Sequence, residues 1–359
     1  MTGMAESAAA VGTQIGRYFS LASLLPSALF IVWLLALQGA ASPFAGFDPD
    51  GAVEALTSWS LEKTGIVLGA SLLLGLVVHP LLFATTQLLE GYWGPRPFAV
   101  RLAAALALRH RARQHRLEER SAEVGRQMRR ELDESIREEI GEAEFARLAE
   151  RVRERRAIQS RSPEGAAVHD LVIARDAMKK VLAEMPRDAD RLLPTRLGNA
   201  LRRVEDSVGS QYGLRLITVA PHLAVSAAPS RMSYIDDARE QMDVSIRLSF
   251  FGLAATVITT VWLLGAGWWL LLALVPYAFA YLTYRGAVAA AGEWGAAMAA
   301  CMDLDRFTMY DLMNVERPTD TDAEGVQNAA LMRLLQGQHV FLRYRREAAG
   351  EPGRPHDTA

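Results

Sequence analysis

The chain has 359 residues, a formal net charge of -2, a half-apolar composition and one cysteine, Cys301. A single cysteine excludes an internal disulfide framework and any cysteine-based zinc site made by one chain. The near-zero charge averages over unlike regions, because apolar and charged residues are segregated along the chain, so it points to no class of partner.

Four stretches meet the length needed for a membrane span, since about 20 residues at about 1.5 Å rise cross a hydrocarbon core of about 30 Å. After a cytosolic tail over 1–20, the first covers residues 21–41. Its apolar run is longer than a signal-peptide core and only Arg17 precedes it as a positive charge, so a retained anchor is expected. The small residues near GAAS keep a cleaved signal peptide open as the alternative. The second span, 64–89, completes a first hairpin over 21–94. Gly65, Gly69 and Gly75, with Ser71, lie at the small-residue spacing that lets two helices approach closely. His79, followed by Pro80, is the clear ionisable group inside a span. It reads either as a gate or ligand contact, or as an inward-facing histidine bonded to a neighbouring helix.

The third span covers 246–264 and the fourth 268–284, with only Gly265, Ala266 and Gly267 between them, which forces an antiparallel hairpin. Thr256, Thr259 and Thr260 make a mildly polar face on the third span. Hydroxyls bonding back to their own helix explain it as well as a gate does. Of the 39 Lys and Arg residues, 28 fall between spans two and three. Arg96, Arg101, Arg247 and Arg285 stand close to span ends, which places this segment and both termini on the cytoplasmic side of the inner membrane.

The cytosolic module, residues 95–245, opens at Pro95 and Pro97. Residues 98–120 begin apolar and end basic, which fits a helix along the inner leaflet or one packed on its own domain. Leu117, Val124, Met128, Leu132, Ile136 and Ile140 form one narrow apolar stripe. Gly141 interrupts it and Phe145, Leu148 and Val152 resume it, so a helical hairpin or short coiled coil is expected. RSPEG at 161–165 reads as a loop before a further helix over 166–185. Acidic residues interleave with arginine throughout and no aromatic platform is present, which argues against nucleic-acid binding.

Residues 193–204, LPTRLGNALRRV, punctuate this charged region. Thr195 can cap a helix with Arg196 in its first turn. Gly198 would admit a close backbone or headgroup. Asn199, Arg202 and Arg203 complete a candidate headgroup or interdomain contact, and structural capping is the plainer alternative. Tyr212–Gly213 should end that helix, with RLITVAPHL as an extended or reentrant-like segment before the helix that feeds span three. Past span four, RGAVAAAGEWGAAMAACMDLDRFTMYDLM continues without a breaker. It is apolar on more than one face, so this extension (285–347) must be covered, with Asp303, Asp305 and Arg306 in ion pairs. A short helix over 322–346 and a disordered tail over 348–359 follow.

LPTRLGNALRRVEDSVGSQYGL, the following hairpin and its continuation to DLDR resemble a group of uncharacterised bacterial multi-pass membrane proteins. Those proteins share P-T-R-L-G-N, then Y-G-L, then a hairpin whose second helix runs on to D-L-x-R. The resemblance covers the second half of the chain. It implies a helical, membrane-embedded architecture and carries no established activity.

No P-loop, H-E-x-x-H, G-x-S-x-G or G-x-G-x-x-G motif occurs, and the histidines lack ligand spacing, so no catalytic, cofactor-binding or metal residue is assigned. The expected fold is all-α, with four spans in two hairpins and a helical cytosolic module between them. The expected function is that of a non-enzymatic, homo-oligomeric scaffold or sensor. Its expected partners are membrane lipid, other copies of itself and an unidentified cytosolic protein. An oligomeric channel or membrane-permeabilising effector is the alternative. A lipid-processing enzyme would need Asp303, Asp305 and His222 to converge near Arg196.

Overall fold

The structure, a computed structural model, describes residues 21–40, 46–58, 60–147 and 166–344. The expectations for the tails, Leu148, Val152 and the loop at 161–165 lie outside them. Among the described residues the chain is all-α. Three helical stretches are long and apolar enough to cross a membrane: Leu61–Val78, Pro229–Trp262 and Gly267–Leu312. The chain divides into two compact units, one from 1–92 with 207–359 and the other from 93–206.

In the first unit, α1 (Leu21–Ala40) is apolar on all sides and leads to the short α2 (Pro49–Thr57). Asp48 starts α2 by accepting the Asp50 amide on its side chain, with Pro49 at the first helical position. The next apolar run does not stay one helix. It splits into α3 (Leu61–Val78), a 3-10 turn at His79–Leu81 and α4 (Leu82–Glu90). Pro80 has no N–H to give the helical ladder, and the turn forms around it. α1 lies on α3, where the Ser27 hydroxyl donates to the Ser71 carbonyl at 2.9 Å and Gly75 leaves room for Ser27.

The second hairpin is built from α10 (Pro229–Trp262) and α11 (Leu274–Leu312), joined by a turn and a 3-10 segment, Gly267–Ala273. That 3-10 segment holds residues that the sequence assigned to the start of span four. At 34 and 39 residues, the helices are about 51 and 58 Å long. Both greatly exceed the apolar stretch within them, and they stay together over nearly their whole length. A Cβ on Gly252 would lie 2.8 Å from the Ala280 Cβ, Arg239 stacks over the Trp294 ring at 5.5 Å, and Arg231 pairs with Asp305. At the turn end, Leu37 and Leu263 form a small core with Phe47, Ile258 and Trp262.

Residues 216–226 form α9 (Leu216–Ser226), a helix where the sequence suggested an extended or reentrant piece. Its Leu216, Val219 and Leu223 are buried, a helical rather than a strand spacing. α9 packs beside α11, which supplies part of the cover that the apolar extension requires. α12 (Thr321–Leu335) is shorter than expected: Gly337, at φ +80°, ends the helix, and Val315 bridges Tyr344 in an isolated antiparallel contact.

In the second unit α5 (Pro97–Ile140) is a single helix of 44 residues that stops at Gly141, φ +81°. α6 (Glu142–Arg147) resumes after it, and Arg137 stacks over Phe145 at 4.6 Å. α7 (Ala166–Ala183) packs along α5. Leu132 and Ile136 of the predicted stripe, with Val168 of α7, are buried. α8 (Arg196–Ser207) follows.

Candidate functional site

The densest buried polar cluster among the described residues of the first unit lies at the far end of α11. Glu324 and Asn328 are 3% and 0% exposed, one turn apart on α12. The Arg306 Nε donates to Glu324 Oε1 at 2.9 Å, and the Tyr310 hydroxyl donates to the same oxygen at 3.1 Å. Asn328 Nδ2 donates to Tyr310 Oη at 2.7 Å and to the Tyr212 carbonyl at 2.8 Å. Burial raises the Tyr310 phenol above its ordinary value, so it stays protonated and keeps its donor role.

The segment Tyr212–Leu214 is the seat of this cluster. The Tyr212 hydroxyl donates to Asp303 Oδ1 at 2.9 Å, and the Arg306 guanidinium stacks 4.0 Å from the centre of the Tyr212 ring. Gly213 sits at φ +72°, a conformation that favours glycine, and a Cβ there would come within a tight 3.3 Å of the Gly325 carbonyl oxygen. Leu214 is buried. The Y-G-L and D-L-x-R elements, distant in sequence, therefore meet in one contact.

Between Asp303 and Arg306 on α11, Asp305 is 1% exposed and receives a two-pronged bond from Arg231 of α10. That guanidinium holds the Asp305 carboxyl below its usual range. Cys301 donates to Asp305 at 3.5 Å, and burial pushes its thiol up to about 11, which makes it a poor nucleophile at neutral pH. Asp303 and Asp305 thus serve different partners, Tyr212 and Arg231. Asp305 and Arg306 form ion pairs with Arg231 and Glu324 of other helices, whereas Asp303, also expected in an ion pair, accepts hydrogen bonds from Tyr212 and Gln211 instead.

In the second unit, Thr195 accepts the Gly198 amide at 3.1 Å and so caps α8. Asn199, 1% exposed, accepts the Leu193 amide at 2.7 Å and donates to the Leu193 carbonyl at 3.1 Å. Its side-chain amide behaves as an extra strand of backbone that closes the Leu193–Asn199 loop. Arg196 pairs with Glu184 at 2.6 Å and Arg202 with Glu205 at 3.1 Å. Gly198 is buried in the first turn. Arg203 is held below its ordinary pKa by burial, then by Arg187 nearby. The geometry here is that of capping and loop closure, with the arginines facing carboxylates of their own unit. Asn199→Ala is expected to leave both Leu193 groups unpaired and lower stability by about 1–3 kcal/mol, measured by thermal unfolding, while Thr195→Ser keeps the cap and changes little.

The loop before α8 is seated on α5. Gln114, buried, donates to the Pro186 carbonyl at 3.1 Å, Arg111 pairs with Asp190, and His110 donates to the Pro194 carbonyl. Burial lowers the His110 pKa first, with Arg113 and Arg196 adding repulsion, against the bond to Pro194. The folded unit therefore favours the neutral imidazole. Its stability is complete above the ordinary histidine pKa of about 6.5 and falls as pH drops below that value toward the lowered one. A downward step in melting temperature between neutral and mildly acidic pH is expected, and His110→Gln should flatten it.

Within the apolar helices, Thr256 and Thr260 donate back to Gly252 and Thr256 carbonyls, each at 2.7 Å. Thr259 is fully buried and accepts the Trp33 indole N–H at 2.9 Å, a contact from α1 that no sequence pattern marks. His79 opens the 3-10 turn, and its side chain lies outside the described part. Gly65 and Gly69 are exposed with nothing within 4 Å of a Cβ built on them, whereas Gly75 packs on α1. A cavity of about 200 Å³ lies between α1, α10 and α11, lined by apolar groups that include Phe30, Trp33, Phe251 and Pro276.

Glu324 and Asn328 were not singled out from the sequence. Their signal is their spacing: with Leu331 they occupy the inward face of α12, where polar residues require buried partners. No protein-family model, curated protein or solved structure matches the chain.

Proposed function

We propose that the chain is a non-enzymatic inner-membrane protein with four spans and both termini cytoplasmic, α1 being the fourth span beside the three long helices. In this reading it is a homo-oligomeric scaffold or sensor that couples the state of the membrane to a helical cytosolic surface, where a cytosolic protein partner would bind. The likeness to multi-pass bacterial proteins fits the same reading.

One observation carries it. α10 and α11 run from the apolar hairpin turn to Arg231–Asp305 without a break, and the end of α11 is then locked to α12 through Arg306 and Glu324. Paired helices of this length act as a stiff lever. A displacement at Gly252 and Ala280 would be carried about 39 Å along α11 to Arg306. The exposed Gly65–Gly69 face of α3 supplies a surface for a second copy, since small residues at this spacing let helices meet in lipid.

A channel would draw on the same helices, but the Thr256 and Thr260 hydroxyls are used by their own helix and Thr259 by Trp33. Hydrogen exchange tests the coupling. Gly252→Ala should reduce amide protection across α12, far from the substitution. Loss of protection near residue 252 with α12 unchanged would refute a coupled lever, and selective ion flux through reconstituted protein would favour the channel.

A further inference from the structure

We propose that the first four turns of α5 form a docking face for anionic phospholipid of the inner leaflet. The inference rests on the membrane reading of the spans.

From Gly91 to Leu117 the sequence holds six arginines, two histidines and no aspartate or glutamate. Six residues, Gly91 to Arg96, separate α4 from α5. An extended chain spans at most about 3.5 Å per residue, so the seven steps from Glu90 to Pro97 tether the start of α5 within about 25 Å of the end of α4.

α5 has two unlike sides here. His110 and Gln114 point inward and are bonded to the carbonyls of Pro194 and Pro186. Phe98, Arg101, Ala105, Leu108, Arg109 and Ala112 recur at helical spacing on the other side, and all six are exposed. Phe98 is 78% and Leu108 63% exposed, large values for apolar side chains on a folded unit. Neither Arg101 nor Arg109 pairs with a carboxylate among the described residues. The cationic run ends in the next turn, where Glu118, Glu119 and Glu123 begin and Glu123 pairs with Arg126.

A face that mixes large apolar groups with unpaired arginines, and holds no acid, matches the boundary between acyl chains and negatively charged headgroups. Phe98 and Leu108 would enter the boundary, while Arg101 and Arg109 extend along it to phosphate. A second copy of the chain would present this cationic face with the same charge, and repulsion disfavours that pairing. Lipid of opposite charge is the occupant that satisfies both kinds of group.

The test uses full-length protein in vesicles, with a nitroxide at Ala105→Cys and, as a reference on the acidic part of α5, at Ala122→Cys. Cys301 is 1% exposed and stays unlabelled. In vesicles of mixed phosphatidylglycerol and phosphatidylcholine, collisions of the Ala105 label with a water-soluble nickel chelate should fall several-fold below those at Ala122, while collisions with oxygen rise. In phosphatidylcholine alone, or with Arg101→Glu and Arg109→Glu, the difference should disappear. Equal nickel access at both positions in every vesicle would overturn the proposal. Protection that persists equally in phosphatidylcholine and in detergent would also overturn it, and would mark a protein surface instead. Flotation of the protein with vesicles of both kinds tests the spans separately, and failure to float with either would overturn the membrane reading and this inference together.

Discussion

Replacing Arg306 by alanine is expected to destabilise the protein by about 3–5 kcal/mol, the usual result of stranding one member of a buried ion pair. Arg306 and Glu324 have side-chain exposures of 14% and 4%, and their bond is 2.9 Å. Without the guanidinium, Glu324 keeps only the Tyr310 hydroxyl, and Tyr212 loses the cation above its ring. Arg306→Met combined with Glu324→Leu removes both charges and should cost far less, because no unpaired carboxylate is left behind. Thermal unfolding in detergent, read with hydrogen exchange over α12, separates the two variants. Equal loss in both would mean that packing, not charge, holds the cluster.

The second large effect lies inside the hairpin. A Cβ at residue 252 would sit 2.8 Å from Ala280 Cβ and 3.0 Å from its Cα, closer than such atoms approach. Gly252→Ala should therefore force α10 and α11 apart and cost about 1–3 kcal/mol, the range for overpacking. Ala280→Gly in the same chain removes the opposing methyl and should restore part of the loss, the Ala280 Cα at 3.0 Å and N at 3.1 Å still pressing on the new Cβ. Partial recovery in the double variant, measured by melting temperature, ties the effect to this one crossing. A double variant worse than either single change would contradict it.

The helical class and the long apolar helices were legible in the sequence because they are properties of composition and run length. Thr195 as a cap and Gly141 as a break were legible too, since capping and positive φ act over a few residues. What escaped depends on which distant residues meet. RLITVAPHL reads as an extended or reentrant-like segment because it is short and apolar, but the cover offered by α11 to Leu216, Val219 and Leu223 decides for helix. Asn199 reads from the sequence as a headgroup or interdomain contact or as part of a structural cap, and its side chain closes a loop on Leu193. Glu324 and Asn328 passed as ordinary polar residues of an amphipathic helix, because nothing local tells a solvated glutamate from one facing Arg306. The Y-G-L and D-L-x-R elements were visible as patterns, and only folding brings Tyr212, Asp303 and Arg306 together.

The central claim is that α10 and α11 cross the membrane and continue as one packed pair on its cytoplasmic side. A cysteine introduced at Leu264, in the hairpin turn, or at Glu293, in the exposed part of the extension, tests it with a membrane-impermeant maleimide, the native Cys301 being buried. Leu264→Cys should be labelled in intact cells and Glu293→Cys only in inside-out vesicles. Labelling of Glu293→Cys in intact cells, or of both positions from one side, would contradict the claim.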